Sequence, residues 1–136
     1  MGHFLAAVPE GAGPCGLHIE RTGRWLVSSL VLAFDSETRR KGLLGRDSLG
    51  EGEGLVIAPS QGVHTFGMRF PIDIVGVDRD GRVVKVRASV PPRRIVLALS
   101  AFAMVELPAG RVARAGVEIG DRVSVRLLDG PGRRSS

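Results

Sequence analysis

Ile72-Asp73-Ile74-Val75-Gly76-Val77, then Asp78-Arg79-Asp80-Gly81, then Arg82-Val83-Val84-Lys85-Val86-Arg87-Ala88: the fold turns on this stretch. Two alternating runs flank an Asp-Gly pair, which supplies the positive φ that a primed hairpin turn needs. A two-residue loop predicts Arg79 opposite Arg82, Val77 opposite Val84, Val75 opposite Val86 and Asp73 opposite Ala88. Strand faces alternate with period two, so Asp73, Val75, Val77, Val84 and Val86 share one face. Lys85 and Arg87 share the other with Ile74. The valine face is expected in the core and the basic face in water.

Outward from this hairpin the chain shows more short strands. Leu17 to Phe34 reads as a second hairpin about Arg21-Thr22-Gly23-Arg24, its second strand running from Trp25 to Ala33. Asp35 or Ser36 can cap a short helix over 36–44, with Glu37 early and Arg39, Arg40 and Lys41 late, as the helix dipole favours. Leu55 to Ala58 is a strand closed by Pro59, and Pro91-Pro92 ends the strand leaving the central hairpin. The apolar run Ile95 to Leu107 suits a strand over Ala101 to Leu107. Ala109 to Ala115 holds about one helical turn, and Val123 to Leu128 a last strand. The expectation is an all-β fold, a compact sandwich or barrel-like domain with one or two short helices. It spans 16–129, with a flexible arm at 1–15 and a disordered tail at 130–136.

Composition bounds the function. With 136 residues, 43% hydrophobic and 24% charged, the chain can bury a core and is not a disordered polymer. The single cysteine, Cys15, excludes an internal disulfide and a Cys-built zinc site. The net charge of +5 looks like a nucleic-acid signal until it is located. Arg82, Lys85, Arg87, Arg93 and Arg94 fall in 82–94 with no acid among them, and the remainder is neutral. That segment carries no stacking aromatic, so no specific nucleic-acid binding is expected. No apolar run approaches a membrane span, and Phe4 to Val8 is too short for a signal peptide. Cytoplasmic residence is expected, in keeping with the lone cysteine.

The chemistry-bearing candidates cluster around one loop. Asp73 interrupts a valine face, and burying it unpaired would cost several kcal/mol, so it should find an Arg, a His or backbone N–H groups. The plainer role is a buried cap or ion pair fixing the loop at 64–71; the sharper one is a binding or catalytic carboxylate. Glu106 shares a strand face with Phe102 and Met104, and can anchor the turn Leu107-Pro108-Ala109-Gly110. His64, Thr65, Arg69 and Asp73 fall within ten residues and can line one pocket mouth. A metal site from His64, Asp73 and Glu106 matches no ligand spacing, so neither metal nor cofactor is expected. There is no Gly-x-Ser-x-Gly, and Cys15 lies in Gly-Pro-Cys-Gly within the arm.

The order of motifs resembles the family catalogued as domain of unknown function 192. The pieces are Arg40-Lys41-Gly42-Leu43-Leu44-Gly45-Arg46, Gly54-Leu55-Val56-Ile57, His64 to Asp73, Asp80-Gly81-Arg82-Val83-Val84, Pro91-Pro92, Glu106-Leu107-Pro108-Ala109-Gly110, and Gly116 followed by Gly120-Asp121. The resemblance runs from about Trp25 to Leu128 and implies a compact, mainly β domain, without supplying an activity. Met68, Pro71, Asp73, Glu106 and Gly110 carry over, whereas the Trp that many members place before Met68 is Gly67 here. The expected function is a non-catalytic binding or accessory module using the 64–73 loop, with His64, Thr65, Met68, Arg69, Asp73 and Glu106 as its site. Its partner would be a small molecule or a protein. The alternative is a small enzyme with His64 and Asp73 as an acid–base pair; a nucleic-acid binder through 82–94 ranks third.

Overall fold

The computed structural model describes residues 3–6, 14–33 and 43–128. Along them run β1 (Cys15–Ile19), β2 (Trp25–Val27), β3 (Ser29–Ala33), β4 (Glu53–Ile57), β5 (Gly62–His64), β6 (Ile72–Val77), β7 (Val83–Val90), β8 (Ile95–Leu97), β9 (Ala103–Pro108), α1 (Arg111–Ala115) and β10 (Val123–Leu127). They form a three-stranded sheet ordered β10-β1-β2, a five-stranded sheet ordered β3-β4-β9-β6-β7, and a ribbon of β5 and β8. Apart from α1 the described fold is all β.

Both faces of the five-stranded sheet are covered. Val75, Val77, Val105 and Leu107 meet Leu17, Ile19 and Leu26 of the three-stranded sheet in one apolar cluster. Leu55, Ile72, Ile74 and Met104 point the other way, into a second cluster closed by Leu43, Met68 and Val96. This corrects the expectation of a wet face opposite the valines: Ile74 is fully buried, and only Arg87, at the sheet edge, is exposed. The sign of two-sided burial is in β6 itself, which is apolar at both parities apart from Asp73 and Gly76.

The central hairpin departs from a two-residue loop. Asp78 N–H donates to the Arg82 carbonyl, and Asp78 Oδ1 accepts the N–H groups of Asp80 and Arg82. Gly81 sits at φ 85°. That is a three-residue connection with its last residue left-handed, the type that carries a bulge. Val77 therefore faces Val83, and a register shift restores Val75 opposite Val86. Val83, not Val84, joins the first cluster, while Val84 packs on the second.

The expected strand from Trp25 to Ala33 is broken at Ser28, whose N–H donates to the Gly52 carbonyl at 2.9 Å. The break lets β2 finish one sheet while β3 starts the other, parallel to β4. Two parts of the expected arm are anchored. Leu5 is 2% exposed within the first cluster, and Cys15 opens β1, buried, opposite Leu127. The helix expected over 36–44 lies outside the described residues but for its last two positions, and the tail at 130–136 lies wholly outside them.

Candidate binding surface

Asp73 projects from β6 toward the first cluster and is fully buried. Its Oδ1 accepts the Ser89 N–H at 2.8 Å, and its Oδ2 accepts the Val112 N–H at 2.8 Å. The first bond holds β7 where Ser89 takes φ 50°; the second caps α1, which begins after Gly110 at φ 92°. One buried carboxylate thus satisfies two backbone donors that would otherwise stay unpaired. The cap expected of Asp73 exists, but it fixes residues 89 and 110–112, not the loop at 64–71.

Glu106 lies on the opposite face of the same sheet, on β9, flanked in register by Leu55 of β4 and Ile74 of β6. It is 4% exposed, and its Oε1 is buried without a hydrogen-bond partner. Burial alone pushes the carboxyl up to about 7. Among the described residues no hydrogen bond joins Glu106 to the turn at 107–110, the role expected of it, and Asp73 holds the Val112 N–H just beyond that turn.

The loop from 64 to 73 divides into an inner and an outer set. Thr65 is buried; its Oγ1 donates to the Pro91 carbonyl at 2.7 Å and accepts the Arg94 N–H at 2.8 Å. It thereby fixes the double-proline turn against the loop. Met68 is buried in the second cluster with the neighbours of Glu106. Arg69 points to water and pairs with exposed Asp47 at 2.7 Å. His64 is exposed on β5 opposite Ile95, its ring 5.9 Å from that of Phe66. No hydrogen bond joins His64 to Asp73, whose oxygens face the far side of the five-stranded sheet. The three residues weighed as metal ligands likewise point to three separate environments.

What His64 does adjoin is apolar. Val96 faces the core, and alternation turns Ile95 and Leu97 outward, 65% and 58% exposed. Phe66 is 49% exposed beside His64, and Leu99 continues the row at 76%. Arg93 and Arg94 stand exposed at one end, and neither they nor Lys85 and Arg87 form an ion pair with a described carboxylate. A run of large apolar side chains in water is the informative kind of exposure. An open cleft between Ser60, Asp80, Ser100 and Phe102 contains neither His64 nor Asp73.

The model of the family domain of unknown function 192, DUF192, described as an uncharacterized ACR, matches residues 17–125. The chain belongs to this family. No curated protein matches this DUF192 chain. Among solved structures it is similar to a protein of unknown function from Novosphingobium aromaticivorans, with TM-score 0.71 and 27% identity over 82% of this chain and 83% of the other. A protein from Sinorhizobium meliloti, provisionally assigned as a transcription regulator, gives TM-score 0.71 at 24% identity over 82% and 91%. The second likeness speaks to fold alone. Among the described residues of the DUF192 domain, no helix is long and apolar enough to cross a membrane.

Phe66, Ile95, Leu97 and Leu99 were not among the residues singled out from the sequence. A signal was present, since Ile95-Val96-Leu97-Ala98-Leu99 alternates large with small, and the smaller side chains face inward. The apolar character of 95–107, interrupted by Ser100 and Glu106 alone, hid it.

Proposed function

We propose that this DUF192 domain is a non-catalytic binding module that contacts a protein partner through the 64–73 loop and the outer face of the β5–β8 ribbon. The observation carrying this reading is the exposed row of Phe66, Ile95, Leu97 and Leu99. The partner it fits has an apolar contact and acidic flanks, because the adjoining Arg93 and Arg94 lack carboxylate partners among the described residues. Thr65 and Met68 act from beneath, holding the loop and the turn at 91–94 to the core. Arg69 and His64 stand at the rim. The single cysteine supports a cytoplasmic setting. The acid–base alternative loses ground because each Asp73 oxygen is engaged by a backbone donor, away from His64.

The test compares the wild type with Phe66→Ser/Leu97→Ser as baits in extract of the source cells. A protein retained only by the wild type is then purified and titrated by calorimetry. The reading expects binding by the wild type and at least a tenfold loss in the variant, with the thermal midpoint unchanged. Equal affinity, or no protein distinguishing the baits, contradicts it.

A further inference from the structure

We infer that β8 is an open docking edge to which an extended, acidic-flanked apolar peptide adds as a third strand of the ribbon; this deepens the binding-module reading and rests on it. The backbone geometry points there first. Thr65 N–H donates to the Arg94 carbonyl and Ala98 N–H to the Gln61 carbonyl, each at 2.8 Å. With Val63 opposite Val96, the antiparallel ladder uses the backbone groups of residues 94, 96 and 98. Alternation then turns the N–H and C=O groups of Ile95 and Leu97 away from β5. Among the described residues, no hydrogen bond from another element reaches them. The other edge of the ribbon is partly closed, since Ser60 Oγ accepts the Gly62 N–H and donates to the Gly62 carbonyl at 2.7 Å.

Side chains distinguish β8 from an ordinary edge. Strands that must not pair carry charges at the edge, as β7 does with Lys85 and Arg87. On β8 the corresponding positions are Ile95 and Leu97. A strand laid alongside would complete up to four backbone hydrogen bonds and cover these two side chains, which is how sheet-edge peptide recognition gains affinity. Charge selects the occupant. Pairing β8 with a second copy would bring two basic 82–94 segments together, whereas a peptide with Glu or Asp at its ends meets Arg93 and Arg94 favourably.

The probe is a blocked, fluorescently labelled peptide, Glu-Glu-Val-Thr-Val-Glu-Glu, titrated by anisotropy against the full chain. Two further versions carry N-methyl groups on alternate backbone nitrogens, in the two complementary sets. Strand addition expects one set to weaken binding at least tenfold and the other to leave it within about twofold, because only one edge of the peptide faces β8. Arg93→Glu/Arg94→Glu is expected to weaken the parent peptide as well, while its far-ultraviolet circular dichroism stays that of the wild type. If both methylated versions bind like the parent and Leu97→Ser still abolishes binding, strand addition is wrong and the binding-surface reading stands. If the parent peptide does not bind while the captured protein partner does, the edge inference fails alone. If a single-stranded oligonucleotide competes the peptide away at physiological salt, the acidic-peptide assignment is overturned.

Discussion

Replacing Glu106 with Gln removes a buried carboxyl whose Oε1 has no hydrogen-bond partner among the described residues and replaces it with a neutral group of the same length. Burial holds the folded-state carboxyl at about 7 instead of 4.5. Above about 4.5 the unfolded chain gives up this proton while the folded chain keeps it. Stability contributed by the neutral carboxyl is therefore fully present below that pH, falls as pH rises, and is gone above about 7. At about 1.4 kcal/mol per pH unit the loss is about 3 kcal/mol, a large part of a domain's net stability. Gln brings an unpaired amide that costs about 1–3 kcal/mol at every pH. The diagnostic quantity is thus the slope, not the offset. Urea unfolding of the wild type and Glu106→Gln, in buffers of matched ionic strength, should give stability curves in which the wild type loses about 3 kcal/mol relative to the variant as pH rises from about 4.5 to about 7. Parallel curves would refute the claim that Glu106 is buried without a partner.

Asp73→Asn can accept only one of the two backbone N–H groups and presents an amide donor to the other. It should cost about 2–3 kcal/mol in urea unfolding while the folded variant binds the probe peptide normally; a loss of affinity with unchanged stability would instead mark Asp73 as a contact residue. Gly81→Ala places a side chain at φ 85°, with its Cβ against the Val123 carbonyl. A loss of about 1 kcal/mol or more is expected, and a neutral result would contradict the three-residue turn. Titration of labelled oligonucleotides at about 50 and about 200 mM salt should show weak binding that disappears at the higher salt, since few phosphates can be reached from 82–94. Submicromolar affinity surviving there would make the basic segment the functional surface.

Much of the strand order was legible because it rests on local chemistry. Asp80-Gly81, Gly23 and the prolines at 59 and 91–92 mark turns whatever the tertiary context. What the sequence hid is one detail of a turn and a set of contacts between distant residues. The Asp78 carboxylate accepts two turn N–H groups and lengthens the central loop by one residue, which exchanges Val83 for Val84 in the core. Asp73 reads as buried from its face alone, but its donors lie at residues 89 and 112, which no spacing rule connects to it. The second apolar layer depends on the β5–β8 ribbon folding over Ile74, so the face carrying Lys85 and Arg87 looked solvated when read strand by strand. The proposed binding surface shows the same divide. The 64–73 loop was recognisable from its composition, whereas the apolar row beside it is assembled by pairing β5 with β8 and had no contiguous signature.

Amide hydrogen exchange of the full chain, with and without saturating Glu-Glu-Val-Thr-Val-Glu-Glu peptide, tests the binding surface most directly. The account predicts new protection at the Ile95 and Leu97 amides and little change at Lys85, Arg87 or the cleft lined by Asp80 and Phe102. Protection centred on that cleft or on β7, with Ile95 and Leu97 still exchanging freely, would contradict it.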